Sequence, residues 1–199
     1  LFQRDVVFHD LRLAVIDEQH RFGVAQRMAL GEKGERTDIL VMTATPIPRS
    51  LALAQYGDMD LSLLDEKPPG RKPIVTTLAS TERLGEVVAH LQRAVAAGQQ
   101  AYWVCPLVEE SETVSLTAAQ SRFDALRAVL GDQVGLVHGQ LPPTDKDAAM
   151  ARFVAGDTRV LVATTVIEVG VDVPNATIMV IERAESFGLA QLHQLRGRV

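Results

Sequence analysis

Two carboxylates stand side by side where an apolar run of the chain ends. Residues Leu13–Ile16 are all apolar, and Asp17 and Glu18 follow them directly. Such a run predicts a strand buried on both faces of a parallel sheet, and ligands bind at the carboxyl ends of strands in open α/β folds. Adjacent acids at that edge suit metal–phosphate chemistry, in which one holds Mg²⁺ and the other takes a proton from water. A solvated turn is the alternative, because the motif is short.

A second apolar run ends in small polar residues. Residues 39–42 predict another buried strand, and Thr43, Ala44 and Thr45 follow it. If both strands belong to one parallel sheet, their polar ends reach the same edge as Asp17. The alternative role for the two threonines is to cap a helix that starts at the prolines beyond them, which is the commoner use of threonine there.

A third group of polar residues follows the apolar run at 160–163. Thr164 and Thr165 come first, and Gly170 and Asp172 stand a few residues further on, before a proline. Hydroxyls and free backbone amides at such a turn can hold a phosphate, and the acid could hydrogen-bond a ribose. An aspartate that satisfies backbone amides within a turn is at least as common, so both interpretations stay open.

The end of the chain is a short helical pattern followed by two arginines around a glycine. Arg196, Gly197 and Arg198 come after a predicted helix that starts near residue 188. An arginine aimed at a transferring phosphoryl group can raise the rate by several orders of magnitude, because its planar charge meets charge that develops in the transition state. On spacing alone, the segment is also typical of a surface helix with basic residues near its C-terminus.

The elements that must position these residues can be read from the rest of the chain. It has 199 residues and is 47% hydrophobic, which suffices for one large domain or two small ones. Residues 64–73 contain three prolines and a glycine among mixed charges, so we place a linker and a domain boundary there. Beyond it, helical patterns alternate with predicted strands over 74–78, 101–105, 134–137, 160–163 and 178–181. This alternation predicts a parallel, doubly wound α/β sheet.

Three helices of the second half carry clear start or stop signals. The first spans 80–97, the second opens at a capping-box pattern of Thr117 and Gln120, and the third begins with Pro142 and Pro143. A glycine ends each of them: Gly98, Gly131 and Gly156. The residues predicted to face the core are Leu84, Val87, Val88, Leu91 and Val95, then Phe123, Leu126 and Leu130, then Met150, Phe153 and Val154.

Composition excludes several classes of protein. The net charge of -5 argues against binding polyanions by bulk electrostatics, so any contact with nucleic acid must come from local groups. Cys105 is the only cysteine and no metalloprotease-type histidine spacing occurs, so zinc chemistry built on His20 fits poorly. No apolar stretch approaches a membrane span, and the first residues lack both an initiator methionine and a signal pattern. We therefore expect a piece of a longer protein that works in a reducing cytoplasm without membrane contact.

The polar segments, taken in their order along the chain, resemble a known family. Residues 17–20, 43–45, 164–172 and 194–198 resemble the second, third, fifth and sixth motifs of the superfamily-two helicases. Within that superfamily, residues 17–24, 43–49 and 188–199 are similar to the RecG family of ATP-dependent branched-DNA translocases. The transcription-repair coupling translocases share much of this pattern, whereas residues 65–71 and 100–112 favour the RecG family.

The resemblance implies a fold, a nucleotide and a set of roles. It implies two RecA-like lobes, with an incomplete first lobe over 1–66, a linker over 67–73 and a second lobe, truncated at its end, over 74–199. ATP and Mg²⁺ are the implied cofactors. Asp17 would bind Mg²⁺ through water, and Glu18 would orient or deprotonate the attacking water. The residues implied to link nucleotide state to DNA contact are Gln19, His20, Thr43, Ala44 and Thr45, with His20 also placed among the catalytic residues.

The second lobe carries the remaining roles that the resemblance implies. Gly170 and Asp172 would face the nucleotide together with Gln194, and Arg198 would reach the γ-phosphate. The candidates for contacts with the DNA backbone are His138, Gly139, Thr164 and Thr165. Branched double-stranded DNA, such as a stalled fork or a Holliday junction, is the implied substrate in a bacterial cytoplasm, and single-strand DNA-binding protein is a possible partner.

The chain also departs from the family pattern. It contains no Gly-x-x-x-x-Gly-Lys-[Ser/Thr] segment, ends before the second arginine of the sixth motif and lacks the wedge domain expected upstream. We therefore expect this piece alone to hydrolyse ATP negligibly. Two other functions stay open: the motor of a transcription-repair coupling translocase, and a RecA-like module that docks nucleic acid or protein without catalysis.

Overall fold

The structure is a computed structural model that divides into two compact units, Leu1–Lys67 and Pro68–Val199. It describes residues 3, 5–18, 23, 29–31, 33–34, 36–43, 60–66, 73–106, 112–164 and 173–199, with only the backbone at 112–115. The division between the units falls inside the proline-bearing stretch 64–73.

The described part of the first unit is a pair of parallel strands. β1 (Leu13–Ile16) pairs with β2 (Asp38–Val41), and Ala14, Ile16 and Leu30 form a small core. The other face of β1 is open, since Leu13 is 55% and Val15 53% exposed. The prediction of burial on both faces is therefore wrong for this strand, because alternate side chains point to opposite faces and no described element packs against the second one.

The second unit is built on a four-stranded sheet. Its strands are β3 (Gln100–Val104), β4 (Val134–Val137), β5 (Val160–Ala163) and β6 (Ala176–Ile181). They lie in the order β4-β5-β3-β6, and every pair is parallel. The predicted parallel α/β sheet is confirmed.

Helices cover both faces of this sheet. They are α1 (Leu84–Ala96), α2 (Glu112–Leu130), α3 (Pro143–Ala155) and α4 (Leu189–Arg196), and single 3₁₀ turns span Thr81–Arg83, Gly131–Gln133 and Ala184–Ser186. One core joins α1 and α2 to the sheet around Trp103, and another joins α3 to the opposite face around Tyr102 and Phe153. Trp103 and Tyr102 are neighbours on β3, so their opposite directions follow from the two-residue period of a strand. The doubly wound arrangement is confirmed.

Most of the predicted helix faces are confirmed, with two corrections. The apolar positions of α1 and α2 pack into the first core, and Phe153 is fully buried. Val154 is instead 51% exposed, because it lies one residue past Phe153 and about 100° around the helix. α2 begins at Glu112 rather than at Thr117, so the capping-box pattern lies inside the helix. A local Thr-x-x-Gln match cannot exclude an earlier start.

The strand predicted over 74–78 is wrong. This segment has no strand pairing, and Val75 and Leu78 are 85% and 92% exposed. An extended segment becomes a strand only when a neighbour supplies ladder hydrogen bonds, and a sequence pattern cannot show whether a neighbour is there.

Candidate functional site

The parallel sheet of the second unit brings four polar residues to one edge. His138 follows β4, Thr164 follows β5, Cys105 follows β3 and Glu182 follows β6. Thr164 N–H donates to Val137 O at 3.3 Å, Cys105 N–H donates to Ala163 O at 2.8 Å, and Glu182 N–H donates to Val104 O at 2.9 Å. The strand order therefore sets these residues in a row along the carboxyl edge, where α/β sheets bind ligands.

Thr164 lies deep in this row. The residue is 1% exposed, and its Oγ1 has no hydrogen-bond partner among the described residues. A buried hydroxyl without a partner is costly, and such groups concentrate at sites that bind something. Its proposed neighbour in DNA contact, Thr165, lies outside the described residues.

His138 lies at the β4 end of the row and is held in its neutral form. Burial lowers its pKa, and the positive charge of Lys146 lowers it further. Lys146 Nζ donates to Gly139 O at 2.6 Å, so the cation is fixed beside the imidazole. Nδ1 is buried without a partner in the part of the chain that the structure describes. The imidazole can therefore hydrogen-bond a neutral or anionic group without carrying a full charge.

An open depression of about 500 Å³ adjoins His138. Its lining combines the His138 imidazole with one apolar and four polar residues of α2: Leu116, Thr117, Gln120, Ser121 and Asp124. No local sequence pattern marks this surface, because α2 meets β4 only in the tertiary fold. Hydroxyl, amide and carboxylate groups give the depression hydrogen-bonding capacity without excess positive charge.

Glu182 closes the other end of the row with a dense hydrogen-bonded cluster. Trp103 Nε1–H donates to Glu182 Oε1 at 2.5 Å, and Arg122 Nη2 donates to Oε2 at 3.2 Å, while Arg122 Nε donates to Oε1. The guanidinium of Arg122 also lies over the Trp103 ring, 5.3 Å from its centroid. Burial, with Glu182 as the second cause, raises the pKa of Cys105 to about 12. The cluster joins α2, β3 and β6 at the carboxyl edge of the sheet.

α4 carries one candidate nucleotide residue of the second unit, Gln194, and a second one, Arg198, follows the helix. Leu195 is buried against Val104 and Phe187, which fixes the helix on the sheet. Gly188 N–H donates to the Gln191 side chain at 3.1 Å at the start of the helix. Arg198 follows the helix end, and its backbone N–H donates to Leu195 O at 3.0 Å. The other two nucleotide candidates, Gly170 and Asp172, lie outside the described residues.

The first unit presents its acids at the end of β1. Ile16 is opposite Val41, and Met42 N–H donates to Ile16 O at 2.8 Å, so Asp17 and Thr43 leave the same edge of the pair. The exposed Asp17 accepts a hydrogen bond at Oδ1 from Glu18 N–H at 2.8 Å. An exposed carboxylate with oxygen donors fits a hard cation such as Mg²⁺.

Glu18 has an unusual backbone conformation for its residue type. Its φ angle is +50°, in the left-handed region, which costs a non-glycine residue roughly 1–2 kcal/mol. Strained residues of this kind cluster at functional sites. The residues around this turn that were predicted to couple nucleotide and DNA, namely Gln19, His20, Ala44 and Thr45, lie outside the described residues.

The described residues show neither a preformed metal cluster nor a membrane-spanning helix. Within those ranges, no group of three or more His, Cys, Asp or Glu side chains is arranged to hold a metal ion. None of the helices that the structure describes combines the length and the apolar character needed to cross a membrane.

Comparison with known proteins shows the family to which this chain belongs. Residues 82–199 match the family described as "Helicase conserved C-terminal domain". The whole chain is 53% identical to the ATP-dependent DNA helicase RecG of Escherichia coli O157:H7 and covers 30% of it. It is 54% identical, again over the whole chain, to the RecG of Acidithiobacillus ferridurans and covers 29% of that protein. The chain thus spans about 30% of the length of these curated relatives.

A solved structure extends the comparison to three dimensions. The whole chain aligns with 25% of the protein in a structure of RecG bound to a three-way DNA junction, with a TM-score of 0.74 and 49% identity. The resemblance to the RecG family is therefore confirmed along the entire chain.

Proposed function

Since this chain belongs to the family of the helicase conserved C-terminal domain, we propose that it is part of the motor of an ATP-dependent DNA helicase that remodels branched DNA. The observation that carries the proposal is the 49% identity, over the whole chain, to RecG in its complex with a three-way DNA junction. The activity, the substrate and the partners of the complete protein belong to this proposal. Stalled forks and Holliday junctions are the branched substrates, in DNA repair and recombination.

In the proposed reaction, acidic residues of the first unit and polar residues of the second unit take part in the hydrolysis of ATP. Asp17 would hold Mg²⁺ through water, and the ion would neutralise phosphate charge when bound. Glu18 orients the attacking water and accepts its proton. Gln194, Gly170 and Asp172 contact the nucleotide. Arg198 donates to the γ-phosphate oxygens, where its charge stabilises the transition state.

The proposed contact with DNA uses the row of residues at the sheet edge. His138, Gly139, Thr164 and Thr165 would contact the DNA backbone; the neutral imidazole and the unpartnered Thr164 hydroxyl support this assignment because both have hydrogen-bonding capacity to spare. The residues that would pass nucleotide state to these contacts are Gln19, His20, Thr43, Ala44 and Thr45. We further propose a bacterial cytoplasmic location and recruitment by single-strand DNA-binding protein.

The test is the change Glu18→Gln in the complete protein that contains this chain. The variant keeps the size of the side chain but cannot accept the proton, so ATP hydrolysis stimulated by a three-way DNA junction should fall at least about 100-fold. Glu66→Gln is the matched control, because Glu66 is an exposed acid of the same unit, and it should leave hydrolysis within about twofold.

Two results would contradict the proposal. Wild-type protein that binds the junction but shows no DNA-stimulated hydrolysis would identify a docking module without catalysis. Equal activity of the Glu18 and Glu66 variants would remove Glu18 from the catalytic residues. Junction binding, measured by fluorescence anisotropy, should stay within about twofold in both variants, because neither residue is proposed to contact DNA.

A further inference from the structure

One hydrogen bond joins the entry of the second unit to its last helix. Arg196 Nη2 donates to Ile74 O at 3.0 Å, across 122 positions of the chain. Ile74 is the first residue after the proline-bearing stretch 64–73. Arg196 is the last residue of α4, in the same turn as Gln194 and two residues before Arg198.

The segment that follows the proline-bearing stretch 64–73, called the connector below, has few other attachments. Among the described residues, no other hydrogen bond reaches residues 73–79, and Ser80 begins the next turn by accepting from Glu82 N–H at 3.3 Å. Ile74 is half-buried, whereas Val75 is 85% and Leu78 92% exposed, so apolar packing holds little of this segment beyond Ile74. Among the described residues, Arg196 therefore makes the only hydrogen bond that reaches residues 73–79.

The end of α4 that carries Arg196 is packed firmly on the sheet. The preceding residue, Leu195, is 3% exposed and packs with Val104 and Phe187, and Gly197 N–H donates to His193 O at 3.1 Å at the helix end. The planar guanidinium presents several donors in one rigid group, so it can hold a carbonyl without losing its orientation. The hydrogen bond thus ties the Ile74 carbonyl to the helix turn that carries Gln194.

We propose that Arg196 is a positioning residue that holds the end of the connector against the end of α4. Through this bond, the end of the connector keeps a fixed position relative to Gln194 and Arg198. The proposal deepens and rests on the proposed motor function, in which those two residues contact ATP. The connector contains three prolines, Pro68, Pro69 and Pro73, whose rings fix φ. With the bond intact, movement of the connector is transmitted to the nucleotide residues; without it, ATP hydrolysis continues but is no longer converted into movement of DNA.

The experiment compares Arg196→Gln, Arg196→Lys and the matched control Arg93→Gln in the complete protein. Arg93 is also an exposed arginine in the last turn of a helix, α1, and its side chain makes no hydrogen bond to another described residue. The activity measurement is the ratio of three-way junctions unwound to ATP hydrolysed. We expect Arg196→Gln to lower this ratio about fivefold, the factor that corresponds to one lost hydrogen bond, with junction affinity within twofold.

A second measurement needs no enzymatic activity. Chymotrypsin cleavage after Leu78 should become about fivefold faster in Arg196→Gln and stay unchanged in Arg93→Gln, because only the first change releases the segment. Arg196→Lys, which keeps a cationic donor, should recover more than half of both effects. Equal behaviour of the two glutamine variants, or a lysine variant as defective as the glutamine variant, would overturn the proposal. A wild-type protein without DNA-stimulated hydrolysis would instead contradict the motor function, and the cleavage rates would still test the Arg196 contact.

Discussion

Cys105 shows how strongly the sheet edge changes the chemistry of a single residue. It is 2% exposed and follows β3, between Thr164 and Glu182 in the row of strand ends. Burial removes the water that would stabilise a thiolate, and the nearby Glu182 carboxylate repels its charge, so the pKa rises to about 12. The only cysteine of the chain is thereby an inert, protonated part of the core.

We predict that Cys105 resists alkylation in the native protein. At pH 8, iodoacetamide should react about 1,000-fold more slowly with native than with urea-unfolded protein, because the thiolate fraction falls by that factor when the pKa rises from 9.0 to about 12. Mass spectrometry of the labelled peptide measures both rates. Equal rates in the two states would contradict the burial of the thiol.

The same pKa shift predicts a loss of stability at high pH. Between pH 9 and pH 12 the unfolded thiol loses its proton while the native thiol keeps it, so the native state binds more protons and the free energy of unfolding falls as pH rises. The contribution is fully present below pH 9. Cys105→Ala should remove this component of the pH dependence in urea titrations.

At the scale of elements, the fold uses two kinds of ion pair that differ in burial. Arg122 of α2 pairs with Glu182 at the end of β6, and their side chains are 20% and 24% exposed. Arg83 pairs with Glu86 at the start of α1, with exposures of 61% and 65%. The first pair joins elements that are 60 residues apart, whereas the second joins residues of adjacent turns. Solvent screening makes the exposed pair a weak contributor.

We predict that replacing the arginine lowers the free energy of unfolding much more for the partly buried pair than for the exposed pair. Arg122→Gln should lower the free energy of unfolding by about 2 kcal/mol, because Glu182 is left partly buried with Trp103 as its remaining donor. Arg83→Gln should lower it far less, because solvent screens the exposed pair with Glu86. Urea denaturation of the two variants measures both values. A similar cost for the two changes would show that the Arg122 cluster does not hold α2 to the sheet.

At the scale of the molecule, the two units carry different shares of the proposed motor. The described part of the second unit has a four-stranded parallel sheet with helices on both faces, whereas the described part of the first unit is a two-stranded pair with one open face. No Gly-x-x-x-x-Gly-Lys-[Ser/Thr] segment occurs in the 199 residues. Backbone amides and the lysine of such a loop are what cradle the phosphates of ATP in this class of enzyme.

We therefore predict that the 199-residue chain by itself hydrolyses ATP at no more than about 1% of the rate of the complete protein, with or without a three-way DNA junction. Without this loop, the phosphates of ATP lose both the groups that position them and the groups that stabilise their charge. A coupled assay of phosphate release on both proteins measures the ratio. DNA-stimulated turnover by the chain alone would contradict the prediction.

Local pattern was enough to find many of the elements of this protein. The bounds of β1, β4 and β5 coincide with the apolar runs that predicted them, and the helices α1, α2 and α3 are followed at their ends by Gly98, Gly131 and Gly156. All three glycines have positive φ angles, the conformation that ends a helix and that other residues adopt only with strain. The apolar patterns and the glycine conformations that end helices depend on residues close together in the chain, so a single sequence is enough to recognise them.

Only the tertiary structure decided which of these elements meet. The order β4-β5-β3-β6 sets His138, Thr164, Cys105 and Glu182 in one row, and Arg196 reaches Ile74 across 122 positions. The same dependence on distant neighbours left residues 74–78 unpaired and one face of β1 exposed, against the predictions. A strand needs a partner and a hydrogen bond needs an acceptor, and whether a remote segment supplies them depends on packing that no local pattern records.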